Sequence, residues 1–309
     1  MPDPTSIGAL ARPRGISEAV LAAADANIRV FLDTTAVCSG KGEPEPDAVH
    51  DARVAGRRLM AMLALLEPVL LLPCADLAPR VKLSIRALGR LRDADVMAEA
   101  FAAFADTQPA AAAHILKLLD RRRRKLRRAS RKELRGALNA EMRLRLGALL
   151  APDAMGMRPV SIAVARTRRV RALARDSVAQ FFRRAAALTP RSAIAELHQA
   201  RIAGKRMRYT LELLGEGDGA AVSLVDECRG LQDELGSIHD RDVASRWLAR
   251  RAARVAGDPA VRARVVVARD LLVLSAHFAR TRDVMRAGFH DSWPAERLRE
   301  FQRRVEHWV

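Results

Sequence analysis

Two stretches of this chain repeat a basic pattern headed by a histidine: VHDARVAGRRLM at 49–60 and LHQARIAGKRMR at 197–208. His50 corresponds to His198, Arg53 to Arg201, Gly56 to Gly204, Arg57 to Lys205 and Arg58 to Arg206, at an offset of 148 residues. At about 100° per residue, His50, Arg53 and Arg57 fall within roughly 60° of helical arc, and His198, Arg201, Lys205 and Arg208 share a face in the same way. Ala55, Leu59, Met62, Leu63 and Leu66 take the opposite side of the first helix and are expected in the core. The arginine guanidinium is a planar fork that matches phosphate oxygens, so each stripe suits a phosphate ligand. A single basic helix face is ordinarily solvated surface. Recurrence of the same residue types at the same positions argues for a binding role.

A second pair of blocks follows each stripe. LGRLRDADV at 88–96 recurs as LGSIHDRDV at 235–243, with Gly89 matching Gly236, Asp93 matching Asp240 and Asp95 matching Asp242. Two nearby carboxylates can hold a metal or act as an acid and base. Residues two apart on a helix diverge, however, and do not converge on one ion. The expectation is that Asp93 and Asp240 pair with basic residues or cap local backbone, orienting arginines that would otherwise repel one another. Gly56, Gly89, Gly204 and Gly236 lie inside helical stretches, where glycine is unfavourable by about 1 kcal/mol against alanine, and they point to close helix contacts or kinks.

Two further clusters are strongly basic. RRRRKLRRASRKELR at 121–135 holds ten basic residues and one acidic, and RTRRVRALAR at 166–175 holds five basic residues. Leu118, Leu119, Leu126, Leu134 and Leu138 carry an apolar stripe through the first run, which marks a long helix with a basic outer face rather than a disordered arm. That face is either an extension of a binding surface or plain solvated surface. The corresponding region of the second half, around 261–282, is more apolar and less charged.

The elements that must position these residues are helices. The apolar period is helical almost throughout, with no alternating β-branched run. Helices are expected at about 16–37, 46–72, 76–106, 109–150, 160–188, 191–215, 220–256 and 259–288, with breaks at Gly40 to Pro46, Pro73, Pro109, Pro152 to Pro159, Pro190, Gly215 to Gly219 and Pro259, and a short tail ending in Trp308. Alanine is abundant and lets neighbouring helices approach closely. Two matched blocks in the same order predict an all-α chain built from a duplicated four-helix unit, 1–155 and 156–309.

Composition narrows the ligand. The chain has 309 residues, 54 Lys+Arg against 36 Asp+Glu and a net charge of +18, and only 6 of the basic residues are lysines. Half the residues are hydrophobic, enough for a sizeable core and incompatible with a disordered chain. Aromatic residues make up only 4%, which speaks against binding single strands by stacking bases. Cys38, Cys74 and Cys228 are odd in number and scattered, so neither a disulfide framework nor a zinc site is expected. The N-terminus has no basic and apolar leader, and the apolar stretch Met60 to Leu72 is interrupted by Glu67 and Pro68, so the expectation is a soluble cytoplasmic protein.

The paired H-x-x-R-[VI]-A-x-[RK]-R-[LM] helices, each followed about forty residues later by L-G-x-x-x-D-x-D-V, resemble the CHAD domain, the conserved histidine α-helical domain. The resemblance covers nearly the whole chain and both halves. It implies two four-helix bundles related by a pseudo-two-fold axis, which bind inorganic polyphosphate along basic helices lining a central groove or pore. Carried over by position, it nominates His50, Arg53, Arg57 and Arg58 in the first half and His198, Arg201, Lys205, Arg206 and Arg208 in the second. Lys82 and Arg229, each seven residues before a motif glycine, are further candidates, with Arg86 and, from the basic run, Arg122 and Lys125. Met60 stands where the second half has Arg208, so the two stripes are not identical. Many members of the family also carry a triphosphate tunnel domain with an E-x-E-x-K strand. Here EPEPD at 43–47 is a proline-rich loop without the lysine, and a stand-alone binder without cofactor or catalysis is expected. Such a protein would dock on polyphosphate granules or present the polymer to a polyphosphate-metabolising enzyme, with histidine protonation near pH 6.5 strengthening the interaction. The alternatives are a nonspecific nucleic-acid-binding helical protein and a phosphotransferase, the latter lacking a metal cluster or Gly-rich loop.

Overall fold

A computed structural model describes residues 16–70, 76–104, 106–107, 109–149, 160–215, 218–257 and 262–309, and among these residues all regular structure is helical. Among the described residues ten helices run in order: α1 Ile16–Ser39, α2 Pro46–Leu70, α3 Leu77–Ala102, α4 Pro109–Ala137, α5 Ala140–Gly147, α6 Val160–Ala186, α7 Ile194–Leu214, α8 Gly219–Ala256, α9 Arg262–Ser292 and α10 Ala295–Trp308. Proline opens α2 and α4 at the first helical position, where its missing N–H would have had no partner. Asp218 opens α8, its carboxylate accepting from the Ala220 N–H at 2.9 Å.

Two boundaries differ from the sequence expectation. The single helix expected over 109–150 is two, because the Asn139 side chain accepts from the Met142 N–H at 2.9 Å and starts α5 afresh. The expected C-terminal tail is the helix α10. Leu298, Phe301 and Val305 lie buried along one side of it, and its end is tied down by the Trp308 Nε1–H, which donates to Asp218 Oδ2 at 2.7 Å. The expected breaks at Pro73, Pro152 to Pro159 and Pro259, the boundary at 155, and Cys74 lie outside the described residues.

Four clusters of buried side chains hold the helices. Phe31, Leu59, Met62, Leu63, Val81, Met142 and Leu146 join α1, α2, α3 and α5. Ala55, Leu59, Met62 and Leu63 are thus buried as their spacing predicts, while the side chain of Leu66 lies outside the described set. Phe181, Met207, Leu231, Leu235, Phe289 and Phe301 join α6, α7, α8, α9 and α10. Val49, Ala52, Leu88, Leu91 and Leu134 seat α2 and α3 on α4.

Apolar side chains of the first and second halves pack together at two junctions among the described residues. Val170 and Leu213 from the second half pack into the core of the first. At the other junction Phe101, Ile115 and Leu119 of α3 and α4 pack with Leu248, Leu271 and Phe278 of α8 and α9. Phe101 stacks on Trp247 with centroids 5.9 Å apart and meets the edge of Phe278 at 5.6 Å. These contacts fix α2 relative to α7.

Gly56 and Gly204 permit close helix approach. A Cβ on Gly56 would stand 2.7 Å from Ile85 Cγ1 and 3.0 Å from Phe31 Cε2, and one on Gly204 would stand 3.1 Å from Phe181 Cε2. Gly56→Ala should therefore cost about 1–3 kcal/mol by overpacking. Gly89→Ala, whose nearest neighbour outside its own helix is 3.7 Å away, should be within about 1 kcal/mol of neutral. Urea denaturation of the two variants measures the difference; equal midpoints would show that Gly56 is not a packing glycine.

Candidate phosphate-binding site

Helices α2 and α7 bring the two histidine-headed motifs against each other. Arg53 and Arg57 come from α2, and Arg201, Lys205 and Arg208 come from α7. The charge on Lys205 is felt by, and feels, Arg57, Arg201, Arg53 and Arg208. Arg53 and Arg201 likewise lie within electrostatic range of each other. Five basic side chains from opposite halves of the sequence thus gather at one place.

The carboxylates nearby are fewer. Asp93 Oδ1 stands 3.6 Å from Arg53 Nη2 and Glu212 Oε1 stands 3.6 Å from Arg208 Nε. Asp240 acts on Arg201 at longer range. The expected pairing of Asp93 with an arginine is present, and Asp240 takes the corresponding place near Arg201. Burial holds the Arg53 and Arg201 guanidinium groups below their ordinary value, with Arg57 adding repulsion in both cases. Both remain cations at neutral pH.

The motif glycines of the second blocks form the floor. A Cβ on Gly89 would lie 3.7 Å from Arg53 Nε, and one on Gly236 would lie 3.5 Å from Arg201 Nε. In each half the motif arginine therefore lies across the bare backbone of its motif glycine, and a side chain longer than alanine there would displace it.

Several nitrogens in this cluster are buried without a hydrogen-bond partner in the protein: Arg53 Nε, Arg201 Nε, Arg208 Nε, His198 Nδ1 and His239 Nδ1. A buried donor left unpaired costs about 1–3 kcal/mol, and most native donors avoid it. The Nε–H groups of Arg53, Arg201 and Arg208 thus lack an acceptor in the protein, amid basic side chains that repel one another.

The two motif histidines differ in setting. His198 is half-buried and stacked on His239 of α8, centroids 4.4 Å apart and planes at 25°, whereas His50 is exposed. Burial, then Arg201, Lys205 and Arg246, hold His198 below its ordinary value, and burial pushes His239 down to about 4. The free protein therefore protonates this pair below the expected pH 6.5. His239 is not among the residues that the sequence motifs nominate. It precedes Asp240 in the second block, at the position of Arg92 in the first, and a basic residue at both was the available signal.

Other nominated residues lie apart. Arg58 spans the junction of the halves, its Nε donating to Glu212 Oε2 at 2.9 Å. Arg229 pairs with Asp226 at 2.6 Å and with Glu212 at 3.4 Å. Lys82, Arg86, Arg122, Lys125 and Arg206 are exposed on their helices.

The basic run on α4 divides by face. Arg123 Nε donates to the buried Asp95 Oδ1 at 2.5 Å, Arg127 pairs with Glu43, Arg131 Nη2 donates to the carbonyls of Lys41 and Gly42 at 2.9 and 2.7 Å, and Arg135 Nε donates to that of Ser39 at 3.1 Å. These four residues, spaced by four, brace α3 and the α1–α2 loop, a role that neither expectation for this run included. Asp242, the counterpart of Asp95, accepts from Arg282 Nη1 of α9 at 3.0 Å and pairs with Arg246. The second aspartate of each block is therefore a structural clamp on the following helix. Cys38 and Cys228 are buried thiols, pushed up by burial to about 11 and about 12.

The described residues form helices, and two of them, α2 and α7, set histidine-headed arginine motifs from the two halves side by side. The chain belongs to the CHAD domain family, whose model matches residues 22–249. The fold is similar to the crystal structure of the CHAD domain from the plant Ricinus communis, with 22% identity, a TM-score of 0.63 and coverage of 96% of this chain and 92% of that one. It is also similar to PptA from Streptomyces chartreusis, with 20% identity, a TM-score of 0.61 and coverage of 89% and 98%. No curated protein matches the chain by sequence. Among the described residues no helix is long and apolar enough to cross a membrane.

Proposed function

We propose that the cluster on α2 and α7 binds inorganic polyphosphate, and that the protein acts as a binder rather than an enzyme. The observation that carries this reading is the convergence of Arg53, Arg57, Arg201, Lys205 and Arg208 with unpartnered buried N–H groups. A linear polyanion supplies an acceptor every few ångströms, neutralises the mutual repulsion and releases counterions. Base recognition is not supported: Phe31, Phe101, Phe181, Phe289 and Phe301 are fully buried in the cores and offer no stacking surface. Such a protein would work in the cytoplasm, on polyphosphate granules or beside an enzyme that makes or degrades the polymer.

Competition separates this reading from nucleic-acid binding. Long-chain polyphosphate and duplex DNA of matched charge are titrated against a labelled polyphosphate probe at about 150 mM salt, where nonspecific charge attraction is largely screened. Polyphosphate should displace the probe at least about tenfold more effectively, because its closely spaced oxygens can meet the converged donors while duplex phosphates are held apart on a stiff rod. Equal displacement would favour a general nucleic-acid binder.

A further inference from the structure

The basic stripe on α7 ends in a carboxylate. His198, Arg201, Lys205 and Arg208 recur at helical spacing and cover about 15 Å of one helix face. Glu212, one turn further on, keeps to the same face, and its side chain is 14% exposed. Three guanidinium groups surround its carboxylate. Arg58 Nε of α2 donates to Oε2 at 2.9 Å, Arg229 Nη2 of α8 donates to Oε1 at 3.4 Å, and Arg208 Nε stands 3.6 Å from Oε1. A phosphate group of a bound chain would offer those arginines the same kind of charged oxygen acceptor. Beyond the carboxylate lies a cavity of about 220 Å³, walled in part by Ala23, Asn27, Val30 and Leu213, and among the described residues Arg58 is its only basic lining residue. The first half carries no such acid: at the offset of 148 that aligns the motifs, Ala64 corresponds to Glu212.

We infer that Glu212 is a specificity-determining residue for chain length: its carboxylate takes the place of a ligand phosphate on Arg58, Arg208 and Arg229 and ends the anion track on α7. The inference rests on the reading of the α2–α7 cluster as the polyphosphate site. A chain running from His198 toward Arg208 meets a fixed negative charge at the next turn. Its phosphates do not displace that carboxylate, because a tethered group loses little freedom in holding the arginines, whereas each further phosphate has to be ordered there. Polymer beyond the track stays in solvent and adds little affinity. Glu212→Gln removes the negative charge at nearly constant shape. Arg58 is then released, while Arg229 keeps Asp226 at 2.6 Å, so one or two cations join the track.

The test titrates the full chain and its Glu212→Gln variant with tripolyphosphate, which is shorter than the track, and with a defined polyphosphate several times longer than it. Polymer is kept in molar excess so that each chain carries at most one protein. Glu212→Gln should raise the affinity for the long polymer at least about tenfold, the value of one added charge-assisted contact. Tripolyphosphate, which does not reach past Arg208, should gain less than about threefold from the screened change in charge. For the long polymer the slope of log binding constant against log salt should steepen by about 0.7 to 1.4. Glu296→Gln on α10, at an acid that is 83% exposed and paired with Arg299, makes the same change in net charge and should move neither affinity more than about twofold. No gain, or equal gains for the two ligands, in a variant shown to be folded by its urea midpoint would overturn the inference. The wild-type protein gives a second reading that does not depend on the variant's stability. Across a ladder of chain lengths its affinity should rise steeply while the track fills and then grow only with the number of registers; a steep rise that continues would also refute the role of Glu212. Wild-type protein that binds neither ligand would sink the polyphosphate reading itself, whereas binding with an unaltered length preference in the variant would sink the length limit alone.

Discussion

The double substitution Arg57→Gln with Arg201→Gln should lower the affinity for polyphosphate by at least about a hundredfold. Each guanidinium would contribute a charge-assisted hydrogen bond worth about 1.5–3 kcal/mol, and each 1.4 kcal/mol is a factor of ten. The two residues come from different halves of the sequence yet act on each other and on Lys205. Their removal therefore takes a cation from each side of the cluster. The fold should not suffer: removing mutual repulsion leaves stability equal or slightly higher, and far-ultraviolet circular dichroism should be unchanged. Matched control substitutions at Arg122 and Lys125, exposed on α4, should cost less than about tenfold, as exposed charges contribute little. Equilibrium titration of the two double variants measures this directly. Equal losses would mean that net charge, not the cluster, determines binding.

Affinity should also fall steeply as pH rises from about 6.5 to 8.5. In the free protein Lys205 is held down to about 6, facing Arg53 and Arg57 of α2 and Arg201 and Arg208 of α7, with Asp93 of α3, Asp240 and His239 of α8 and His198 in the surrounding shell. Bound phosphate oxygens oppose those cations and raise the ammonium toward its ordinary value. Between the free and bound values binding therefore takes up a proton. Linkage makes the binding constant drop by up to tenfold for each unit rise in pH, about a hundredfold over the two units. The stacked His198 and His239 add proton uptake at lower pH, because their depressed values also rise on binding an anion. Calorimetric titration in buffers of different ionisation enthalpy measures the uptake. Lys205→Arg keeps the charge but cannot lose it, so it should flatten the profile above pH 7. A wild-type profile that is already flat would show that Lys205 does not face the ligand.

Much of the fold was legible in the sequence. The 3.6-residue period, the prolines and the repeated blocks placed the helices to within a few residues, because each signal is local. The split between α4 and α5 was hidden because Leu138 continues the apolar stripe across the break. The helix α10 reads as a short tail from its many charged residues, although Leu298, Phe301 and Val305 have helical spacing. The stripe Arg53, Arg57, Arg201, Lys205 was legible because helical spacing alone aligns it. What local pattern could not show was that α2 and α7 face each other, that Glu212 from one half holds Arg58 of the other, or that Asp95 and Asp242 clamp arginines of the following helices. Those contacts depend on tertiary approach. The division of the 121–135 run into a bracing face and an exposed face belongs to the same class, since ten similar charges in a row do not reveal which of them meet the α1–α2 loop.

The most direct measurement is the salt dependence of polyphosphate binding by the intact chain, with polymer of defined length and fluorescence or calorimetric detection. Five converged cations should bind saturably, with the logarithm of the binding constant falling against the logarithm of salt concentration at a slope of about −3 to −4. The Arg57→Gln, Arg201→Gln variant should lose about 1.4 units of that slope's magnitude. A slope near −1, or an unchanged slope in the variant, would contradict the cluster on α2 and α7 as the seat of binding.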